Sequence, residues 1–186
     1  MALTRTEKRL RAEVEEIAAA VRMDVWNIER YKQPPFDRKA LLRIMKDKLV
    51  RSHVILKYTY IDELLTDIIC NYYFHVKSKK NTTYREMWKT KRFRTFVHYL
   101  MDETFLIKKL SLVEAIKNVP TDVSSAIRGI NDVRNALAHS LFPENRRRYM
   151  MSKKLLYSGK HLLSLEGIEA FNQDCAVAER WLGKKV

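Results

Sequence analysis

Residues 121 to 141 read TDVSSAIRGINDVRNALAHSL. Val123, Ile127, Ile130, Val133, Leu137 and Leu141 recur at steps of three and four, so the stretch predicts a helix with one apolar side. It opens just after Pro120, with Thr121 or Asp122 as its N-cap. Inside it sits Arg134-Asn-Ala-Leu-Ala-His139. At about 100° per residue, Arg134 falls near the middle of the apolar stripe and His139 about 140° further round. A guanidinium aimed at a core is costly unless something holds it. That anomaly makes this helix the candidate site.

Helical spacing continues outward on both sides. Val54, Tyr58, Ile61, Leu65, Ile68 and Tyr72 alternate steps of four and three and predict a core helix from about residue 50 to 76. The pattern leaves open whether residues 38 to 49, preceded by Asp37 as a possible cap, continue it. Asp62 and Glu63 lie beside its apolar positions, either as solvated carboxylates or with one of them reaching Arg134 to offset its charge. Leu106, Leu110 and Val113 predict a further helix ending near Asn118. The Val119-Pro120 joint after it is short enough to favour antiparallel neighbours. Lys154 to Tyr157 and His161 to Ser164 read as two short strands around a Gly turn. Leu165 to Leu182 closes the chain as a helix, with Ile168, Phe171, Cys175, Ala178 and Leu182 on one face.

The N-terminal residues 4 to 31 predict one long helix. Leu3, Leu10 and Ile17 are seven apart, as are Val14, Val21 and Ile28, which approximates a coiled-coil seam broken by Glu7 and Asp24. It is either an arm that pairs with another subunit or a helix lying on its own domain. Pro34-Pro35 ends it. The expected organisation is a helical extension over residues 1–36 and a helical bundle over 37–186. Only four Gly and four Pro interrupt 186 residues, which fits an all-α class.

Composition narrows the partners. Lys and Arg number 36 against 22 acidic residues, a net charge of +14, and such a surplus favours a polyanionic partner such as nucleic acid or an anionic membrane surface. The alternative is a basic protein with solvated faces. No run approaches the roughly 20 apolar residues of a membrane span, and the charged N-terminus is no secretory signal. Cys70 and Cys175 sit in amphipathic patterns without metal-ligand spacing. These features together lead to the expectation of a cytoplasmic protein with no membrane partner. Thr83-Tyr-Arg-Glu86 fits a capping box. The segment after it carries Lys89, Lys91, Arg92 and Arg94 among Trp88, Phe93 and Phe96. Basic residues among aromatics bind single-stranded nucleic acid by charge and stacking; otherwise the aromatics are core and the cations its wet face. Arg146, Arg147 and Arg148 form a second basic cluster and candidate RNA contact.

The spacing of an arginine and a histidine is not specific alone, and Arg92 with His98 repeats it as a decoy. Polar Asn135 after the arginine, and an arginine on an apolar stripe, distinguish Arg134 and His139. Together with Lys108-Lys-Leu110 and the Pro120 joint, the run Ile130-Asn-Asp-Val-Arg134-Asn-Ala-Leu-Ala-His139 resembles the last two core helices of HEPN domains (higher eukaryotes and prokaryotes nucleotide-binding). The family hallmark is an Arg, a polar residue, then a His after four to six residues, matched here by Arg134, Asn135 and His139. The Val54–Phe74 and Leu165–Phe171 helices are similar in kind, so the resemblance spans about residues 50 to 182. One group of small HEPN toxins, paired with nucleotidyltransferase antitoxins, places a Tyr two residues after the His. Here Leu141 stands there, a departure from that group.

The resemblance implies a helical bundle, usually dimeric, and in many members a metal-independent endoribonuclease. Other members have lost activity and serve as RNA binders or protein-docking scaffolds. Residue chemistry agrees. Metal-free RNA cleavage needs proton transfer at the 2′- or leaving 5′-oxygen, which suits His139, and a fixed cation on the phosphate, which suits Arg134. Asn135 would position the phosphate or hold His139. On one ideal helix Arg134 and His139 diverge, so either a two-fold partner brings two such helices to one cleft or the helix is distorted near Ala136 to Ala138. Cleaved cellular RNA implies a toxin or antiphage effector with an antitoxin or other regulatory partner. A coiled-coil adaptor built on residues 3 to 31 is the rival reading. His53, His75, His98 and His161 have no partner spacing for a metal or triad, and no phosphate-binding Gly loop is present, so no cofactor or metal is expected.

Overall fold

A computed structural model describes residue 5 and residues 38–74, 86–139 and 155–185; of 38–45 it describes the backbone alone. The expected N-terminal helix and its Pro34-Pro35 joint, the capping box up to Glu86, Leu141 and Arg146–Arg148 lie outside the described residues, Arg5 apart. The chain forms two compact units, Met1–Lys48 and Leu49–Val186. The packing below is that of the second.

The elements are α1 (Arg38–Phe74), α2 (Lys91–Phe96) running into a π turn (Val97–Met101), α3 (Leu106–Ile116), α4 (Thr121–His139), β1 (Leu156–Tyr157), β2 (Lys160–His161) and α5 (Leu165–Leu182). The fold is all-α, with one two-stranded hairpin among the described residues, and none of the described helices is long and apolar enough to cross a membrane. Residues 38 to 49 continue the core helix without a break. Along α1, Val54, Ile61, Leu65 and Ile68 are buried as their spacing predicts, whereas Tyr72, at the stripe's end, is exposed.

The helix expected to start at the capping box is interrupted at Thr90. Its hydroxyl donates to the Met87 carbonyl at 2.8 Å and accepts the Phe93 amide at 3.3 Å, so Thr90 closes one turn and caps α2. The amide of Asp102 then reaches the Val97 carbonyl at 2.9 Å, the five-residue spacing of a π turn.

The chain doubles back between α3 and α4. Glu114, late in α3, accepts from Ser124 Oγ at 2.6 Å and Arg128 Nη2 at 3.1 Å, both early in α4. The Ser124 amide donates to the Pro120 carbonyl at 3.0 Å, so Pro120 itself takes the N-cap seat expected of Thr121 or Asp122. Proline offers no side-chain acceptor at that seat; its carbonyl starts the helix ladder, and its missing N–H costs nothing there. Asp122 instead sits in the first turn, where the helix dipole favours an acid.

Val123, Ile127, Ile130, Val133 and Leu137 of α4 are buried, α4 packs on α5, and on α5 Phe171, Cys175, Ala178 and Leu182 are buried. Each of the buried Val, Ile, Leu and Phe side chains contributes about 1.5–3 kcal/mol, above the per-residue differences in helix propensity. Between them, Leu156 pairs with His161 and Tyr157 with Lys160. Ser158 (φ 48°) and Gly159 (φ 77°) are both left-handed, the backbone of a type I′ hairpin turn. Beyond these pairs the Leu162 amide donates to the Leu155 carbonyl at 2.8 Å and both leucines are buried; Ser164, expected in the second strand, is instead the N-cap of α5, accepting the Gly167 amide at 3.2 Å, and Lys154 lies outside the described residues.

Candidate active site

Arg134 does not point into the core. It is exposed, its Cζ stands 5.1 Å from the centre of the Tyr58 ring, and its Nη1 donates to Asn135 Oδ1 at 3.2 Å. The stripe position is as expected, but a long side chain near the helix end carries its charge past the rim of the core while its stem covers apolar surface. Neither Asp62 nor Glu63 offsets it. Asp62 accepts from Lys109 Nζ at 2.6 Å, a cation 3% exposed that α3 brings into the core, and Glu63 faces solvent. Burial pushes the Tyr58 hydroxyl above its ordinary range, opposed by the Arg134 guanidinium over its ring.

His139 is the last residue of α4 and is exposed. With Asn135 and Asp132 it lines a half-open cleft of about 740 Å³ whose far wall is Tyr157 and Asp174. Gly129 gives that wall room: an added Cβ there would stand 3.3 Å from the Tyr157 hydroxyl, which donates to Asp174 Oδ2 at 2.6 Å. Burial and that bond push the tyrosine's pKa up, which favours its protonated, donating form. Arg134 is not among the cleft residues. Asn135 therefore sits between a guanidinium on one side and a cleft holding His139 on the other.

The turn that ends in His139 is fixed from outside. Arg51 of α1, 9% exposed, donates from Nη1 to the Leu137 carbonyl at 2.6 Å, placing a buried cation at the negative end of α4. Nearer the surface, His53 Nε2 donates to Asn172 Oδ1 at 2.6 Å and Lys57 Nζ donates to Glu179 Oε1 at 2.8 Å, both bonds part-buried.

Sequence reading missed Arg51, Tyr157 and Asp174. The one available signal was Arg51 three residues before Val54, a charge on the buried side of α1; the Tyr157–Asp174 bond depends on a tertiary turn and carries no local pattern.

The basic segment divides as its rival reading has it. Lys89, Lys91, Arg92 and Arg94 are exposed, while Phe93 is buried and Trp88 and Phe96 are partly buried. These aromatics pack on one another and on Phe74: Phe74–Phe93 and Phe74–Phe96 at 5.1 Å, Trp88–Phe93 at 5.3 Å. A buried Phe93 has no free face for a base.

Chemically, an exposed guanidinium can accept a phosphate, and an exposed imidazole at a cleft mouth can exchange protons with a ligand. The two carboxylates inside the cleft repel phosphate and would accept amino or imino groups instead. Among the described residues no group of three His, Cys, Asp or Glu is arranged to hold a metal ion. Comparison of the chain with protein-family models, curated proteins and solved structures finds no match.

Proposed function

We propose that this chain is a metal-independent endoribonuclease of HEPN type that cleaves single-stranded or looped RNA at an Arg134/His139 site completed by a second copy. The observation that carries this reading is the bond of Arg134 to Asn135 on the helix that ends in exposed His139. A guanidinium laid on Tyr58 and tied at one nitrogen keeps other donors for a phosphate while its plane is held. In the proposed step the 2′-oxygen attacks phosphorus and the bond to the 5′-oxygen breaks. His139 moves the proton between these oxygens, and Arg134 offsets the charge that builds on the phosphate. The products are a 2′,3′-cyclic phosphate, or its hydrolysed form, and a 5′-hydroxyl.

Arg134 and His139 leave α4 on different sides, and this supports a homodimer in which a two-fold axis sets the arginine of one copy toward the histidine of the other. The net charge of +14 suits an RNA substrate. Cleavage of cellular RNA would make the protein a cytoplasmic toxin or antiphage effector restrained by an antitoxin or other regulatory protein.

A second reading, a catalytically inactive HEPN domain that binds RNA or docks a protein, is favoured by Asp132 and Asp174, whose charge opposes a phosphate deep in the cleft beside His139. The test is cleavage of a mixed single-stranded RNA in EDTA, with His139→Ala alongside and product ends analysed. Cleavage by the parent alone, leaving cyclic phosphate, supports the nuclease. Binding without cleavage supports the second reading as an RNA binder; the absence of both contradicts the nuclease and the RNA binder and leaves protein docking.

A further inference from the structure

Phe93 is buried and Trp88 and Phe96 are partly buried against the core, but a different pair of rings is open. Tyr72 and Tyr73, in the last turn of α1, are 49% and 50% exposed. A continuous run of rings joins them to the cationic helix. Tyr72 meets Tyr73 at 5.2 Å, Tyr73 meets Phe96 at 5.9 Å, Phe96 meets Phe74 at 5.1 Å, and the Arg92 guanidinium stands 5.7 Å from the Phe74 centre. Phe74 and Phe96, partly buried against the core, anchor the exposed end, so the tyrosines are presented on a packed base. Beside them α2 offers Lys91, Arg92 and Arg94, all exposed.

We infer that Tyr72 and Tyr73, with Lys91, Arg92 and Arg94, form a track for single-stranded RNA, the tyrosines stacking on bases and the cations meeting phosphates. Exposed rings bordered by cations serve a polyanion that carries flat bases; this pairing is the physical basis of sequence-tolerant single-strand binding. Over residues 86–94 one acidic residue, Glu86, stands against Lys89, Lys91, Arg92 and Arg94, so the charge of the patch matches a phosphate chain and opposes an acid-poor or basic partner. Tyrosine suits the task better than phenylalanine at an open site, because its hydroxyl stays hydrated while the ring stacks. The inference takes RNA as the partner from the reading above but does not depend on cleavage.

The test uses the full chain carrying His139→Ala, so that RNA survives, with binding of a labelled oligouridylate and of heparin followed by anisotropy across a salt series. Tyr72→Ala/Tyr73→Ala should weaken oligouridylate binding about tenfold or more, leave its salt slope unchanged, and leave heparin, which has no bases, bound as before. Tyr72→Phe/Tyr73→Phe should bind like the parent. Lys91→Gln/Arg92→Gln/Arg94→Gln should lower the salt slope by about two, near 0.7 for each lost phosphate contact. Unchanged oligouridylate binding by the alanine pair, or equal losses for RNA and heparin, overturns the track, as does absence of RNA binding by the parent. If the parent cleaves RNA and the alanine pair binds it normally, the track fails and the nuclease stands. If binding follows the tyrosines and the parent protein never cleaves, the nuclease fails and the track stands.

Discussion

The guanidinium of Arg51 bonds the carbonyl of Leu137 at 2.6 Å, tying the middle of α1 to the last turn of the helix that carries Arg134, Asn135 and His139. The bond is buried and charge-assisted, so it is worth about 1.5–3 kcal/mol. Arg51→Met fills the space without the charge and should lower the urea-derived stability by that amount with m unchanged. Arg51→Lys should recover part of it. RNA cleavage should fall with Arg51→Met, because the turn holding His139 loses its anchor. An unchanged urea midpoint would show that Arg51 does not hold this end of α4.

The Lys109–Asp62 pair should behave as a buried charge behaves. Lys109 is 3% exposed, so Lys109→Ala leaves a carboxylate whose partner has gone. Asp62 keeps some contact with water, which puts the cost at about 2–3 kcal/mol, at or below the low end for a broken buried pair. The double change Asp62→Leu/Lys109→Met should cost far less than Lys109→Ala. Denaturant unfolding of the two variants reads this directly, and equal costs would contradict it.

Two glycines separate helix propensity from close approach. At Gly167 an added Cβ would lie 2.2 Å from the His161 carbonyl oxygen, so Gly167→Ala must push the hairpin off the start of α5 and should cost about 3 kcal/mol. At Gly129 the nearest atom is the Tyr157 hydroxyl at 3.3 Å, and alanine's helix preference of about 1 kcal/mol offsets the crowding. Gly129→Ala should therefore stay within about 1 kcal/mol of the parent by thermal unfolding. A larger loss at Gly129 than at Gly167 would reverse this ranking.

The thiols set an alkaline limit. Burial, with Asp67 near one and Glu179 near the other, pushes Cys70 and Cys175 up to about 12. A group whose folded pKa lies above its unfolded value near 9 leaves stability intact below pH 9 and drains it as the pH rises from there toward 12. Lys57, raised by its hydrogen bond to Glu179, loses its contribution in the alkaline range as well. Melting temperature should fall steadily above pH 9. At pH 8 a disulfide reagent should find no rapidly reacting thiol in the folded chain and two after denaturation.

How far the sequence reaches depends on how local the cause is. The closing helix Leu165–Leu182 and the buried positions of α4 follow from a spacing that the core reads directly. The hairpin follows from Ser158-Gly159, where two left-handed residues fit a tight turn. Thr90 was legible in principle as a cap, yet the apolar spacing runs across it from Trp88 to Phe96 and hides the break. The exposure of Arg134 was not legible, because helical angle gives direction and says nothing of where the core ends. The partner of Asp62 was missed for a related reason: Lys109 reaches it only once α3 has packed on α1, and 47 residues separate them.

The most direct test of the central claim mixes two inactive variants. Arg134→Ala and His139→Ala are each expected to lose RNA cleavage in EDTA. Unfolding and refolding them together would form mixed dimers, each keeping one intact Arg134 and one intact His139. If the site is shared between copies, the mixture should regain on the order of a quarter of the parent rate, since half of randomly formed dimers carry one complete pair of two. A mixture as silent as its components, beside an active parent refolded in the same way, would contradict a shared site. Full activity of either variant alone would remove the Arg134/His139 helix from the reaction.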